Sequence, residues 1–121
     1  MPESISIKPD VTQPGADVLE VDAQQATVAA VKATNGQLFG YHIYNSNTAV
    51  AFVHFYDIPS GRVTVGTSAR KITLAVPPGG GVDGVFPMPI TFTTAMAIAA
   101  TTTITGSTNP TTGLLVDIFF A

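Results

Sequence analysis

The chain has 121 residues, of which 45% are apolar and only 11% charged, and its mean hydropathy is +0.36. That length suits one domain with a real core, and that composition excludes a wholly disordered chain. With a net charge of −3 and no cysteine, the sequence offers no disulfide, no thiolate nucleophile, no cysteine zinc site and no basic face for a nucleic-acid backbone.

Residues 1–25 read as an N-terminal arm. They hold five of the eight acidic residues (Glu3, Asp10, Asp17, Glu20 and Asp22) together with Pro2, Pro9 and Pro14. Ile5 with Ile7, and the run Val18-Leu19-Glu20-Val21, each suit a brief edge strand. Fully extended, such an arm reaches on the order of 80 Å, enough to dock on a neighbouring subunit. Glu3, Lys8 and Asp10 interrupt any apolar run, so no signal peptide is expected. Apolar stretches such as 95–100 fall far short of the roughly 18 residues that span a membrane.

Residues 26–121 read as strands separated by turns. Residues 26–33 are rich in Val and Ala and end at Asn35-Gly36, a strong hairpin signal because both residues tolerate positive φ. Residues 37–45 follow, with Tyr41 and Ile43 on one face and His42 and Tyr44 on the other. After the turn Asn45-Ser46-Asn47, residues 48–58 are apolar on both faces, which predicts a central strand covered on both sides. Pro59-Ser60-Gly61 ends it, and 62–67 is a loop with room for one short strand. Residues 70–76 alternate, with Ile72, Leu74 and Val76 inward. Pro77-Pro78-Gly79-Gly80-Gly81 breaks regular structure. Residues 82–86 form a short strand, and Pro87 and Pro89 confine that region to an edge or a bulge. Residues 93–100 balance the helical preference of Ala and Met against the strand preference of Thr, and the β context favours strand. After a loop over 106–113, residues 114–120 close the domain with Leu114, Val116, Ile118 and Phe120 on one side. The expected fold is an all-β, single-domain antiparallel β-sandwich, Ig-like or jelly-roll-like, with an extended N-terminal arm.

Catalytic chemistry finds little support. His42 and His54 are the only imidazoles, and both sit inside strands, where a hydrogen-bonded structural role is expected. Two histidines need an aspartate such as Asp57 or Asp117 to complete a three-ligand metal site. The glycine run after Val76 lacks the Lys-Ser/Thr ending of a phosphate loop. Tyr41, Tyr44, Phe52 and Tyr56 suit core packing better than a sugar platform. No enzyme activity, cofactor, metal or small-molecule substrate is expected.

One succession of segments is distinctive. Tyr44-Asn45 leads through Asn47-Thr48-Ala49 into Val50-Ala51-Phe52-Val53-His54-Phe55-Tyr56-Asp57. Val65-Gly66-Thr67 follows, then Ile72-Thr73-Leu74-Ala75-Val76-Pro77-Pro78-Gly79-Gly80, then Phe86 and Ile90-Thr91-Phe92-Thr93-Thr94-Ala95-Met96. Over about residues 40–100 this resembles the small β-sandwich virion structural proteins of tailed bacteriophages, of the capsid decoration or cement type. The chain departs from that pattern at Val63-Thr64, where a proline usually precedes the Val-Gly-Thr, at His54, where lysine is usual, and at Ala95, where glycine is common. The resemblance implies a particle protein made in the host cytoplasm and carried on the capsid surface. Its partners would be the major capsid protein and copies of itself, a trimer being one candidate state. A tail, neck or fibre position and a host-glycan-binding module are the alternatives. So few charges suit a protein whose faces are permanently covered. Candidate contact residues are Ile5, Ile7, Val11, Val18 and Leu19 on the arm, and Pro77, Pro78, Gly79 and Gly80 on the loop.

Overall fold

The computed structural model describes residues 16–121. Eight strands form two four-stranded antiparallel sheets. In chain order they are β1 (Asp17–Gln24), β2 (Ala29–Lys32), β3 (Gly36–Asn45), β4 (Ala51–Tyr56), β5 (Ile72–Val76), β6 (Gly80–Phe92), β7 (Met96–Thr101) and β8 (Leu114–Phe120), with one 3₁₀ turn at Ser60–Arg62. Sheet A runs β1-β8-β3-β6 and sheet B runs β2-β7-β4-β5.

This order is a nested one. β1 pairs with β8, β2 with β7, β3 with β6 and β4 with β5, while β3·β8 and β4·β7 complete the two sheets. The chain is therefore one long hairpin, with residues 57–71 at its tip, rolled up so that its strands alternate between sheets except at the tip, where β4 and β5 share sheet B. That is the jelly-roll solution to burying two sheet faces against each other, and it decides between the two sandwich types expected.

Period-2 alternation places the core. Leu114, Val116 and Ile118 of β8, Leu38 and Ile43 of β3, and Phe92 of β6 meet Val53 and Phe55 of β4, Val76 of β5, and Met96, Ile98 and Ala100 of β7, all buried between the sheets. Phe55 and Phe92 face each other across the layer with ring centroids 6.5 Å apart. β4 lies between β5 and β7, as its two apolar faces require, and residues 96–101 are strand, as the β context favours. Pro87 and Pro89 lie on β6, an outer strand of sheet A, opposite a register shift between Leu38 and Gly40. An edge position spares the missing proline amides a partner.

Three expectations need correction. The sandwich begins at Asp17, not at residue 26, because β1 pairs with β8 from Asp17↔Phe120 to Gln24↔Leu114. Its carboxylates point to solvent while Leu19 and Val21 pack on the core, so a charge-rich segment is an amphipathic edge strand. Asn35-Gly36 does not close a hairpin, since β2 and β3 lie in different sheets. Among the described residues positive φ occurs only at Gly66 and Gly79. Gly36 is needed for space instead, because a Cβ there would lie 2.7 Å from the Ala121 carbonyl oxygen, the acceptor of the Gln37 amide. Finally, the Pro-Gly loop is shorter than expected. Gly80 and Gly81 already pair with Asn45 and Tyr44, and β6 continues through Pro87 and Pro89 to Phe92.

Buried Asn45 fixes the crossing from β3 to β4. Its amide donates to the carbonyls of Ala49 (2.9 Å) and Val76 (3.1 Å), and its Oδ1 accepts the Asn47 amide (3.0 Å).

Candidate interaction surface

The two sheets differ in how their outer faces are finished. On sheet B, residues 57–71 fold back as a roof. Ile58, Val63 and Val65, joined by Val28, cover Tyr56, Ala97 and Ala99. The small alanines leave room for that roof, and every residue of β7 is buried.

His54 stands on the same face and is 1% exposed. Its Nε2 lies 2.7 Å from Thr101 Oγ1 and its Nδ1 3.2 Å from Thr73 Oγ1. The Thr101 hydroxyl donates its single proton to the Thr103 carbonyl at 2.7 Å, so it accepts from the imidazole. Nε2 therefore carries the ring proton and Nδ1 accepts from Thr73. Burial, reinforced by the nearby Arg70 guanidinium, lowers the His54 pKa from 6.5 to about 4. Both ring nitrogens are thus engaged within the fold. Burial raises the Tyr56 phenol, with Arg70 opposing, and Arg70 itself reaches the Ile104 carbonyl.

Asp57 does other work. Its carboxylate accepts from the amides of Thr93 (3.0 Å), Thr94 (2.9 Å) and Ala95 (3.3 Å) and from the Thr93 hydroxyl (3.1 Å), and Lys71 Nζ lies 3.8 Å away. Partial burial pushes its pKa up, but the Thr94, Thr93 and Ala95 amides outweigh this and hold it below the ordinary carboxylate range. Asp57 braces the crossing from β6 to β7 and does not join His54. Asp57→Ala strips an acceptor from three amides and is expected to cost about 1–2 kcal/mol. A lower urea midpoint at unchanged m-value would show it. No group of three or more His, Asp or Glu side chains placed to hold a metal occurs among the described residues.

The outer face of sheet A carries no such roof among the described residues. Register places two rows of side chains across it. The first is Val18–Phe119–Gly40–Val85, and the second is Glu20–Asp117–His42–Asp83. Val18 is 61% and Val85 79% exposed. Gly40 is where this face needs glycine, since a Cβ there would lie 2.5 Å from the Gly84 carbonyl oxygen and 3.2 Å from the Phe119 ring. His42, Asp83, Val85, Asp117 and Phe119 border a shallow depression of about 280 Å³, and His42 Nδ1 lies 3.6 Å from Asp117 Oδ2. Met88, 82% exposed, extends the apolar surface along the β6 edge.

No protein-family model and no curated protein matches this chain.

The residues expected to bind a partner are dispersed. Ile5, Ile7 and Val11 lie outside the described residues. Val18 belongs to the exposed row on β1, whereas Leu19 points inward and packs on the core. Pro77, Pro78 and Gly79 are exposed. The left-handed Gly79 (φ 62°) donates its amide to the Asn47 carbonyl at 3.0 Å. Half-buried Gly80 opens β6 opposite Asn45. Because β1 and β6 are opposite edges of sheet A, and Asp17 and Gly80 lie at opposite ends, Val18 and the Pro-Gly turn occupy diagonal corners. The four aromatic residues weighed as a sugar platform are likewise separated. Tyr41 packs inward against Phe86 at 6.0 Å, Tyr56 is buried under the roof, and Phe52 lies on the other sheet from exposed Tyr44.

Sequence reasoning missed the rows on sheet A. Alternation showed which residues of each strand share a face, but the rows exist only once β1, β8, β3 and β6 are set side by side. Another depression, about 230 Å³ between residues 46–51 and 110–112, is lined by neutral side chains only.

Proposed function

We propose that this chain is a bacteriophage virion structural protein, a capsid decoration protein that binds the assembled shell and stabilises it through protein–protein contacts. The observation that carries this reading is the asymmetry of the sandwich. The outer face of sheet B is roofed over Tyr56, Ala97 and Ala99 by the chain's own loops, while the outer face of sheet A, among the described residues, presents an apolar row, an acidic row and the exposed β6 edge. A jelly roll alone does not specify a function, and the reading draws equally on the resemblance over residues 40–100.

Physical chemistry favours such a role. A protein with so few charges keeps its apolar surface out of water best when a partner covers it. A specific interface buries roughly 800 Å² on each side, with its centre depleted of charge. Burial of apolar surface against the shell and against neighbouring copies would supply much of the binding free energy, at about 25 cal/mol per Å² before association costs. The test is addition of purified protein to shells that lack it. Stoichiometric binding with a raised temperature of shell disruption is expected. Absence of both would remove the proposal.

A further inference from the structure

Among the described residues the charges are segregated between the two sides of the sandwich. The four strands of sheet A carry Asp17, Glu20, Asp22, Asp83 and Asp117 and not one lysine or arginine. The described lysines and arginines (Lys32, Arg62, Arg70 and Lys71) all lie on sheet B or the roof that covers it, where Asp57 is the only carboxylate. Arg62 and Arg70 are exposed. Beside Arg70, whose guanidinium reaches the Ile104 carbonyl, the Ile104 side chain is 50% exposed. The acidic row of sheet A likewise has an apolar neighbour, the row holding Val18 and Val85.

We infer that the open face of sheet A is covered by a second copy of this chain, which docks through the roof side of its own sheet B. This inference rests on the reading of the chain as a decoration protein and assigns the sheet A face to the contact between neighbouring copies, leaving another surface to engage the shell. Charge complementarity selects the occupant. Two sheet A faces brought together would oppose carboxylate to carboxylate, and two roofs would oppose guanidinium to guanidinium. Only face to roof pairs opposite signs while placing apolar surface against apolar surface, with the charges setting register and suppressing wrong pairings. Such a contact is heterologous. It closes into a ring if the rotation between copies divides the circle, and otherwise propagates.

Two arms test it in the full chain. Sedimentation equilibrium of the unmodified protein should show self-association that weakens about tenfold or more between about 0.05 M and 0.5 M NaCl, as the screening length contracts from over 10 Å to about 4 Å. Glu20→Lys with Asp83→Lys makes both sides basic, and Arg62→Glu with Arg70→Glu makes both acidic. Each double variant alone should be monomeric, and their equimolar mixture should regain association. Arg62→Glu with Thr67→Glu repeats the second variant without disturbing the Arg70 contact. Restoration in the mixture excludes misfolding as the cause of either loss. The inference is overturned by a monomeric unmodified protein, by association indifferent to salt, by loss in only one of the two variants, or by a mixture that stays monomeric. Each of these results leaves shell binding to be measured separately, so failure here is distinct from failure of the decoration role.

Discussion

Lowering the pH from 7 to 4 is expected to remove on the order of 3 kcal/mol of folding stability through His54 alone. In the unfolded chain this imidazole takes its proton near its ordinary 6.5, while in the folded chain it resists until about 4. Between those values the unfolded state binds more protons than the folded one, so stability falls as pH falls across that window and is full above it. The magnitude follows from the lowering at about 1.36 kcal/mol per pKa unit. Structure supplies the reason. Protonation must place hydrogen on Nδ1, which accepts from Thr73, and must put positive charge near Arg70 in a site closed to water. His54→Gln retains one donor for Thr101 and one acceptor for Thr73 but does not titrate. Urea unfolding at a series of pH values should show the slope between pH 6.5 and 4 in the natural protein and its flattening in the variant. Asp57 adds a second loss of the same sign at lower pH. Its carboxylate is held below its ordinary range, so its contribution is present above the unfolded value and disappears as pH drops through the folded one. An equal slope in His54→Gln would refute the role assigned to this residue.

Phe55→Ala is expected to cost about 3–5 kcal/mol. Phe55 is fully buried near the C-terminal end of β4, paired in register with Ile72 on one side and Ile98 on the other, and it faces Phe92 across the core. Truncation leaves a cavity bounded by strands on three sides, which the two hydrogen-bonded ladders prevent from collapsing. For a domain whose total stability is about 5–15 kcal/mol, the thermal midpoint should drop by roughly 10 °C or more. Val85→Ala, at a position 79% exposed on sheet A, should change stability by no more than about 0.5 kcal/mol. A similar loss for both variants would contradict the assignment of core and open face.

What could be read from the sequence was whatever depends on a single strand. Leu114, Val116 and Ile118 announce the inner face of β8 by alternation. The two apolar faces of residues 51–56 announce a strand that is both central and roofed. The β character of residues 96–101 follows from their context, and Ala97 and Ala99 turn out to be small because a roof rests on them. What depends on the neighbour of a strand was hidden. Asn35-Gly36 signals a reversal of direction, but nothing local says that β3 joins the other sheet. Val18-Leu19-Glu20-Val21 suits an edge strand, but nothing local says that this strand joins the sandwich beside β8 instead of belonging to an arm. The expected contact residues failed to converge for the same reason, since Val18 and Pro77 are near neither in sequence nor in the sheet. The separation of the described acids on sheet A from the bases of β2 and the roof is a property of the jelly-roll order, which places β1, β3, β6 and β8 in one layer and β2, β4, β5 and β7 in the other.

The most direct test of the central claim is a count of this chain in purified, intact phage particles by quantitative mass spectrometry. A decoration protein that covers a shell lattice should be present at a fixed ratio to the major capsid protein, amounting to hundreds of copies per particle. A dozen copies or fewer would move the chain to the tail or neck, and its absence from the particle would contradict the account outright.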